Sequence, residues 1–130
     1  MIERDYIMRL IRQFLAALAR FLNKKEHQND EEEIKELYET YLGDYTFFHS
    51  ASIDEIMDSF LKYPEGERIY RIEMLAELYY READLKSEPM REDLLVKAFK
   101  LFSFVDRNSK TFSLERINKI NEIQTKRKEK

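Results

Sequence analysis

Apolar residues recur every three or four positions between Ile7 and Leu22, and they do so on more than one side. Ile7, Met8, Leu10, Ile11, Phe14, Leu15, Leu18, Phe21 and Leu22 carry the helical period over a segment from about residue 3 to 24. With about 3.6 residues per turn, Arg9, Arg12, Gln13, Ala16, Arg20 and Lys24 are left to share one narrow polar stripe. A helix that packs once onto a core needs a single apolar face. An arc this wide predicts a helix that is central in a bundle or shared between two chains.

The polar connector NKKEHQND (23–30) follows, and Asp30 with Glu33 three residues later has the spacing of a capping box for a second helix. Ile34, Leu37, Tyr38, Tyr41 and Leu42 form its apolar stripe, and Gly43 is placed to end it. Residues 44–51, DYTFFHSA, predict irregular chain or one short turn whose aromatics plug a core edge. Ser52 to Glu55 is a second capping box, opening a helix with Ile53, Ile56, Met57, Phe60 and Leu61, which Tyr63-Pro64-Glu65-Gly66 stops. Further helices are expected over roughly 66–85 and 89–106, with Pro89 near the first turn, where its missing N–H does no harm. Ser113 can cap a last helix carrying Leu114, Ile117, Ile120 and Ile123, and the tail QTKRKEK is expected to fray.

The composition narrows this to an all-α protein. The 130 residues hold only two glycines and two prolines, too few for the turns of a β-rich chain. The length suits one domain, here residues 1–125 with a basic tail at 126–130. Without cysteine there can be no disulfide, thiolate metal site or cysteine nucleophile. The start, Met1-Ile2-Glu3-Arg4-Asp5, has no basic leader pattern, so a cytoplasmic protein is expected.

Charge is segregated. Residues 1–29 carry six basic and three acidic groups, 30–62 two and ten, 63–106 seven and ten, and 107–130 eight and three. Basic ends with an acidic middle predict complementarity between neighbouring helices. A nucleic-acid surface would need basic patches that the acidic middle does not cancel. The arginines of the first helix forbid a membrane span. A surface-lying helix fits them better, but the apolar arc is too wide for it, and the small residues AALA (16–19) suit helix–helix packing.

Two resemblances sharpen the picture. Leu75, Ala76 and Tyr79, then Ala98, Phe102 and Val105, resemble the two helices of a tetratricopeptide repeat, although Tyr79 and Ala98 stand some ten residues farther apart than the repeat allows. The segment DYIMRLIRQFLAALARFL (5–22) resembles the start of an uncharacterised bacterial family of small helical proteins. The repeat resemblance implies an antiparallel hairpin with Ile69, Ile72, Ala76, Tyr79 and Ala83 inside, and Tyr70, Glu73, Glu77 and Tyr80 on the face that such repeats use for peptides.

Chemistry is sparse. His27 lies in a charged connector and is expected to be solvated. His49 follows Phe47-Phe48 and could approach Asp44 or Asp54, but such a residue is expected to be half-buried and structural. There is no Glu-x-x-His pair, His-Glu-x-x-His, phosphate loop or Gly-x-Ser-x-Gly. The carboxylates Glu31 to Glu33, Glu36 and Glu39 read as a solvated helical face. No catalytic residue, metal or cofactor is expected. The sequence therefore predicts a single bundle of five to six helices acting as a non-enzymatic protein-interaction module. That module is expected to be homodimeric through Phe14, Leu15, Leu18 and Leu22 of the first helix. The alternatives are a small-ligand or metal-dependent enzyme around His49 and a nucleic-acid binder using the basic ends.

Overall fold

A computed structural model describes the backbone of residues 2–128 and the side chains of residues 5–127. Seven α-helices occur among the described residues: α1 (Ile2–Asn23), α2 (Asp30–Tyr41), α3 (Tyr45–Ser50), α4 (Ile53–Ser59), α5 (Glu65–Ala83), α6 (Met90–Asn108) and α7 (Leu114–Lys128). A 3₁₀ turn, Phe60–Lys62, follows α4, and the described residues contain no strand. The protein is all-α. The helix beyond the expected five to six is α3, because Asp44 accepts the N–H of Thr46 and turns residues 45–50 into a capped helix. Residues 124–128, where fraying is expected, continue α7; residues 129 and 130 lie outside the described residues. Two compact units divide within α5, between Met74 and Leu75.

In the first unit α1 lies on α2. Ile7, Phe14, Leu18 and Phe21 are buried at spacings of seven, four and three. The Phe14 ring meets Tyr41 edge-on at 5.4 Å, and the Tyr41 hydroxyl donates to the Gln13 carbonyl at 3.3 Å. From α2 the aromatics run onward. Tyr38 sets its ring against Tyr45 at 5.1 Å and Phe48 at 6.5 Å, and Phe48 approaches Phe60 at 6.4 Å. The segment 44–51 does supply core aromatics.

The turns show which local signals prevailed. Gly43 takes φ +145° and donates its N–H to the Tyr38 carbonyl at 2.9 Å, closing α2. Ser52 and Glu55 form both bonds of a capping box. The backbone N–H of Ser52, and then its hydroxyl, hold the Glu55 carboxyl below the usual range. The other expected box is corrected. Asn29 is the cap residue of α2 and makes no side-chain cap bond, while Asp30 is already helical. Lys24 wins both carboxylates: its ammonium meets Asp30 at 2.6 Å and Glu33 at 2.7 Å. An ionic bond is stronger than a neutral amide bond to the same oxygen, so α1 and α2 are pinned by charge where a cap was expected.

A buried clasp joins the end of α2 to the start of α5. Arg71 pairs with Glu67 at 3.1 Å, both being buried, and donates to the Tyr41 carbonyl at 3.2 Å. Its guanidinium lies 4.0 Å from the centre of the Tyr63 ring, and the Tyr63 hydroxyl donates to the Leu42 carbonyl at 3.2 Å.

The second unit holds the end of α5 with α6 and α7. Leu75, Ala76, Tyr79, Ala98, Phe102 and Val105 are all buried. Tyr79 receives Lys97 over its ring at 5.6 Å, and Tyr80 meets Phe102 edge-on at 6.4 Å, so α5 and α6 touch through these pairs. The Ser113 hydroxyl accepts the N–H of Arg116 at 3.1 Å and starts α7. Arg116, itself buried, reaches Asp106 at 3.2 Å and the Thr111 carbonyl at 3.0 Å, which fixes the turn between α6 and α7.

Candidate interaction surface

The side chains of α1 divide into two apolar stripes. One is the buried set already described. The other consists of Met8, Ile11, Leu15, Ala19 and Leu22, at successive spacings of three, four, four and three. These fall on one line because about 100° per residue returns a helix to the same side at such steps. Leu15 is 51% exposed and Leu22 40%; Ala19 is exposed, and Met8 and Ile11 are half-buried. Of the four residues expected at a subunit contact, the structure therefore separates two pairs. Phe14 and Leu18 lie in the chain's own core at 1% and 4% exposure, and a partner cannot reach them. Leu15 and Leu22 face outward. Met8, Ile11 and Ala19 join them, and their spacing was readable in the sequence; only the division between inner and outer stripe was not.

The tyrosine–glutamate face of α5 is also divided. Tyr70 and Glu73 are half-buried. Glu77 and Tyr80 are buried by α7. Lys119 of α7 pairs with Glu77, which Arg81 also meets at 3.0 Å. The Tyr80 hydroxyl donates to the Glu122 carboxylate, and Lys126 stands 4.7 Å from the centre of the Tyr80 ring. Burial first, then the bond to Glu122, raises the Tyr80 phenol above its ordinary value. Two further ion pairs hold the end of α7, Lys126 with Asp84 at 3.5 Å and Arg127 with Glu92 at 2.8 Å. As an exposed peptide-binding face the expected set is therefore corrected at Glu77 and Tyr80. The chain's own basic C-terminal helix occupies them, and the long spacing to residues 119–126 hid this from local pattern.

His49 stacks on Tyr45 at 3.8 Å, and its Nδ1 donates to the Tyr45 carbonyl at 2.7 Å. A carbonyl only accepts, so this bond fixes the proton on Nδ1. His27 remains largely exposed and lies 3.1 Å from Asp30. Among the described residues no three His, Asp or Glu side chains are grouped so as to hold a metal. An open groove of about 470 Å³ lies between α1 and α2, floored by Ala17, Phe21, Leu37 and Tyr41. Lys24 and Glu33, on its rim, are the pair that bonds across the two helices. No helix among the described residues is long and apolar enough to cross a membrane.

Fold and surface together define an all-α protein that presents an apolar helix face. Comparisons with known protein families, with curated proteins and with solved structures find no match for this chain.

Proposed function

We propose that this protein is a non-enzymatic interaction module that docks another protein helix on the outer stripe of α1. The observation that carries the reading is the line of exposed Leu15, Ala19 and Leu22, continued by half-buried Met8 and Ile11, on a helix whose opposite side is already buried. A small all-helical protein has no internal use for a second apolar stripe along one helix, and contiguous apolar surface marks contact sites. Exposed Ala19 lets a partner backbone come close, while Leu15 and Leu22 supply the bulk that fills it. The segregated charge fits a different role: Lys24, Lys119, Lys126 and Arg127 are all engaged with carboxylates of the same chain, which supports complementarity between helices as their use. The tetratricopeptide-like hairpin is part of this reading, supported by the burial of Ala76, Tyr79, Ala98 and Phe102. In it α7 takes the place of a bound peptide, and the docking surface moves to α1.

The test is the double variant Leu15→Glu, Leu22→Glu. It should keep the wild-type far-UV spectrum and lose the protein associations of the wild type, both self-association in light scattering and any protein retained on an affinity column. A wild type that stays monomeric at high concentration and retains the same proteins as the double variant would refute the reading.

A further inference from the structure

The turn between α6 and α7 ends in a bulky apolar tip. Phe112 is 79% exposed and Leu114 61%, on either side of the cap residue Ser113. A hydrophobic residue just before a helix cap commonly folds back on the fourth helical residue as a staple. In α7 that fourth residue is Ile117, and a ring exposed to 79% is not folded onto it. Nor is the turn loose. The Ser109 hydroxyl donates to the Thr111 carbonyl at 3.2 Å, the Thr111 N–H donates to the Ser109 oxygen at 3.1 Å, and Arg116 donates to the same Thr111 carbonyl at 3.0 Å. With Thr111 tied on one side and Ser113 capping α7 on the other, the backbone holds Phe112 out in water.

Positive charge gathers at the same end. Lys100, Arg107 and Lys110 are exposed and make no ion pair among the described residues. Farther along α7, by contrast, Lys119, Lys126 and Arg127 each meet a carboxylate. Lys100 and Arg107 stand just under two turns apart and so share one side of α6, and Lys110 follows in the turn itself. Of the carboxylates at this end, Asp106 is taken up by Arg116 at 3.2 Å, which leaves Glu115 in the first turn of α7.

We propose that the α6–α7 turn is a contact for an anionic lipid surface, with Phe112 and Leu114 entering the interface and Arg107, Lys110 and Lys100 meeting the headgroups. Shape and chemistry select this partner. A stable protein interface takes about 800 Å² from each side, and two side chains on a protruding turn cannot supply it. A bilayer closes around such a tip from every direction, and its hold grows with both the apolar surface inserted and the cations beside anionic headgroups. A single-stranded nucleic acid stacks on successive aromatics along a cationic groove, whereas the neighbour of Phe112 at this tip is the aliphatic Leu114. The contact lies in the second unit and is separate from the outer stripe of α1.

The chain has no tryptophan, so Phe112→Trp places a single fluorophore at the tip. Its emission should shift to the blue, and acrylamide should quench it less, with vesicles of phosphatidylcholine and phosphatidylserine; phosphatidylcholine alone should leave it unchanged. The wild type should sediment with the anionic vesicles. Arg107→Gln with Lys110→Gln should bind them roughly 30-fold less, about fivefold for each cation lost near such a surface, and added salt should act in the same direction. Phe112→Ser with Leu114→Ser should lose the sedimentation while keeping the wild-type far-UV spectrum, since both positions are exposed. Leu15→Glu with Leu22→Glu should sediment like the wild type. An unshifted tryptophan, a wild type absent from the anionic pellet, or a Phe112→Ser, Leu114→Ser protein that sediments unchanged overturns the proposal. Loss of sedimentation in the Leu15→Glu, Leu22→Glu protein overturns it too, because the lipid contact then belongs to α1. So does a tryptophan shift with an oligouridylate and none with vesicles, which assigns the tip to nucleic acid.

Discussion

Single side chains in this protein act chiefly through charge at the ends of helices. Arg71 is the strongest case, since it shields Glu67, caps the Tyr41 carbonyl and covers Tyr63. Arg71→Ala should leave the Glu67 carboxylate buried and bare, at a cost of about 3–5 kcal/mol, read from the urea midpoint. Adding Glu67→Gln should recover part of the loss. Weaker contributions, from half-buried Lys24 and Asp30, exposed Glu55 and buried Tyr79, set the pH profile. The bond from Lys24 lowers the Asp30 carboxyl against the opposing desolvation, with His27 assisting. A lowered carboxyl stabilises the fold fully above its ordinary range and loses that contribution as pH falls through the lowered value. Glu55, also lowered, follows the same direction. For Lys24, desolvation pulls the ammonium down, but the bonds to Asp30 and Glu33 outweigh it and leave it raised. Its contribution is present below the ordinary lysine value and lost as pH rises through the raised one. Tyr79 adds to that limb: burial, then Glu82 and Asp93, raise its phenol, so the folded state resists an ionisation that the unfolded chain undergoes near pH 10. The melting temperature should thus be level in the neutral range and fall on both sides. Asp30→Asn and Glu55→Gln together should make the acid fall shallower, and because Asp30→Asn also takes from Lys24 a bond that raises it, the alkaline fall should become shallower as well.

At the scale of the element, α7 stands apart. Ile123 is its one fully buried apolar residue among those described, while Leu114 is 61% exposed, and its hold on the unit rests on Lys119, Glu122, Lys126 and Arg127. The pairs Lys126–Asp84 and Arg127–Glu92, at the end of α7, are the more open of these, and such pairs contribute little each and are screened by salt. Hydrogen exchange in α7 should therefore quicken with added salt well before exchange in α6, whose Leu94, Leu95, Ala98 and Leu101 are buried. Ser113→Ala should remove the cap at Arg116 and lower stability by about 1 kcal/mol. Equal protection of α6 and α7 at high salt would count against this account. The elements themselves were largely legible in the sequence. Helical period placed α1, α5 and α6 to within a few residues, and Gly43, Ser52–Glu55 and Ser113 acted as their chemistry dictates. Two of the misses share one cause, a distant group outcompeting a local one. Lys24 took Asp30 from its expected cap, and α7 took Glu77 and Tyr80 from the open face. Sequence spacing reports neighbours along a helix, and neither contact is of that kind. The candidate site was legible in its residues and not in its sidedness: Phe14 and Leu15 are adjacent and both apolar, and only packing distinguishes them.

At the scale of the whole molecule, that sidedness yields opposite outcomes from two leucines three residues apart. Leu18 is 4% exposed and lies in the core of its unit, whereas Leu15 is 51% exposed on the outer stripe. Leu18→Glu forces a carboxylate into an apolar setting without a partner, a change of several kcal/mol, and should leave the chain poorly folded at any concentration. Leu15→Glu places its charge in water and should cost the isolated chain almost nothing. Association adds a second signature. Whatever binds the folded chain and not the unfolded one raises its stability by mass action, so a dimer's melting temperature climbs with protein concentration. Self-association predicts a wild type that melts higher at about 500 μM than at about 5 μM. Leu15→Glu should melt at one temperature throughout, matching the dilute wild type. The comparison is internal, because the dilute wild type and the variant report the same monomer. Equal melting temperatures of the wild type at both concentrations would mean that the outer stripe of α1 stays open, and a depressed value for dilute Leu15→Glu would mean that it belongs to the core after all.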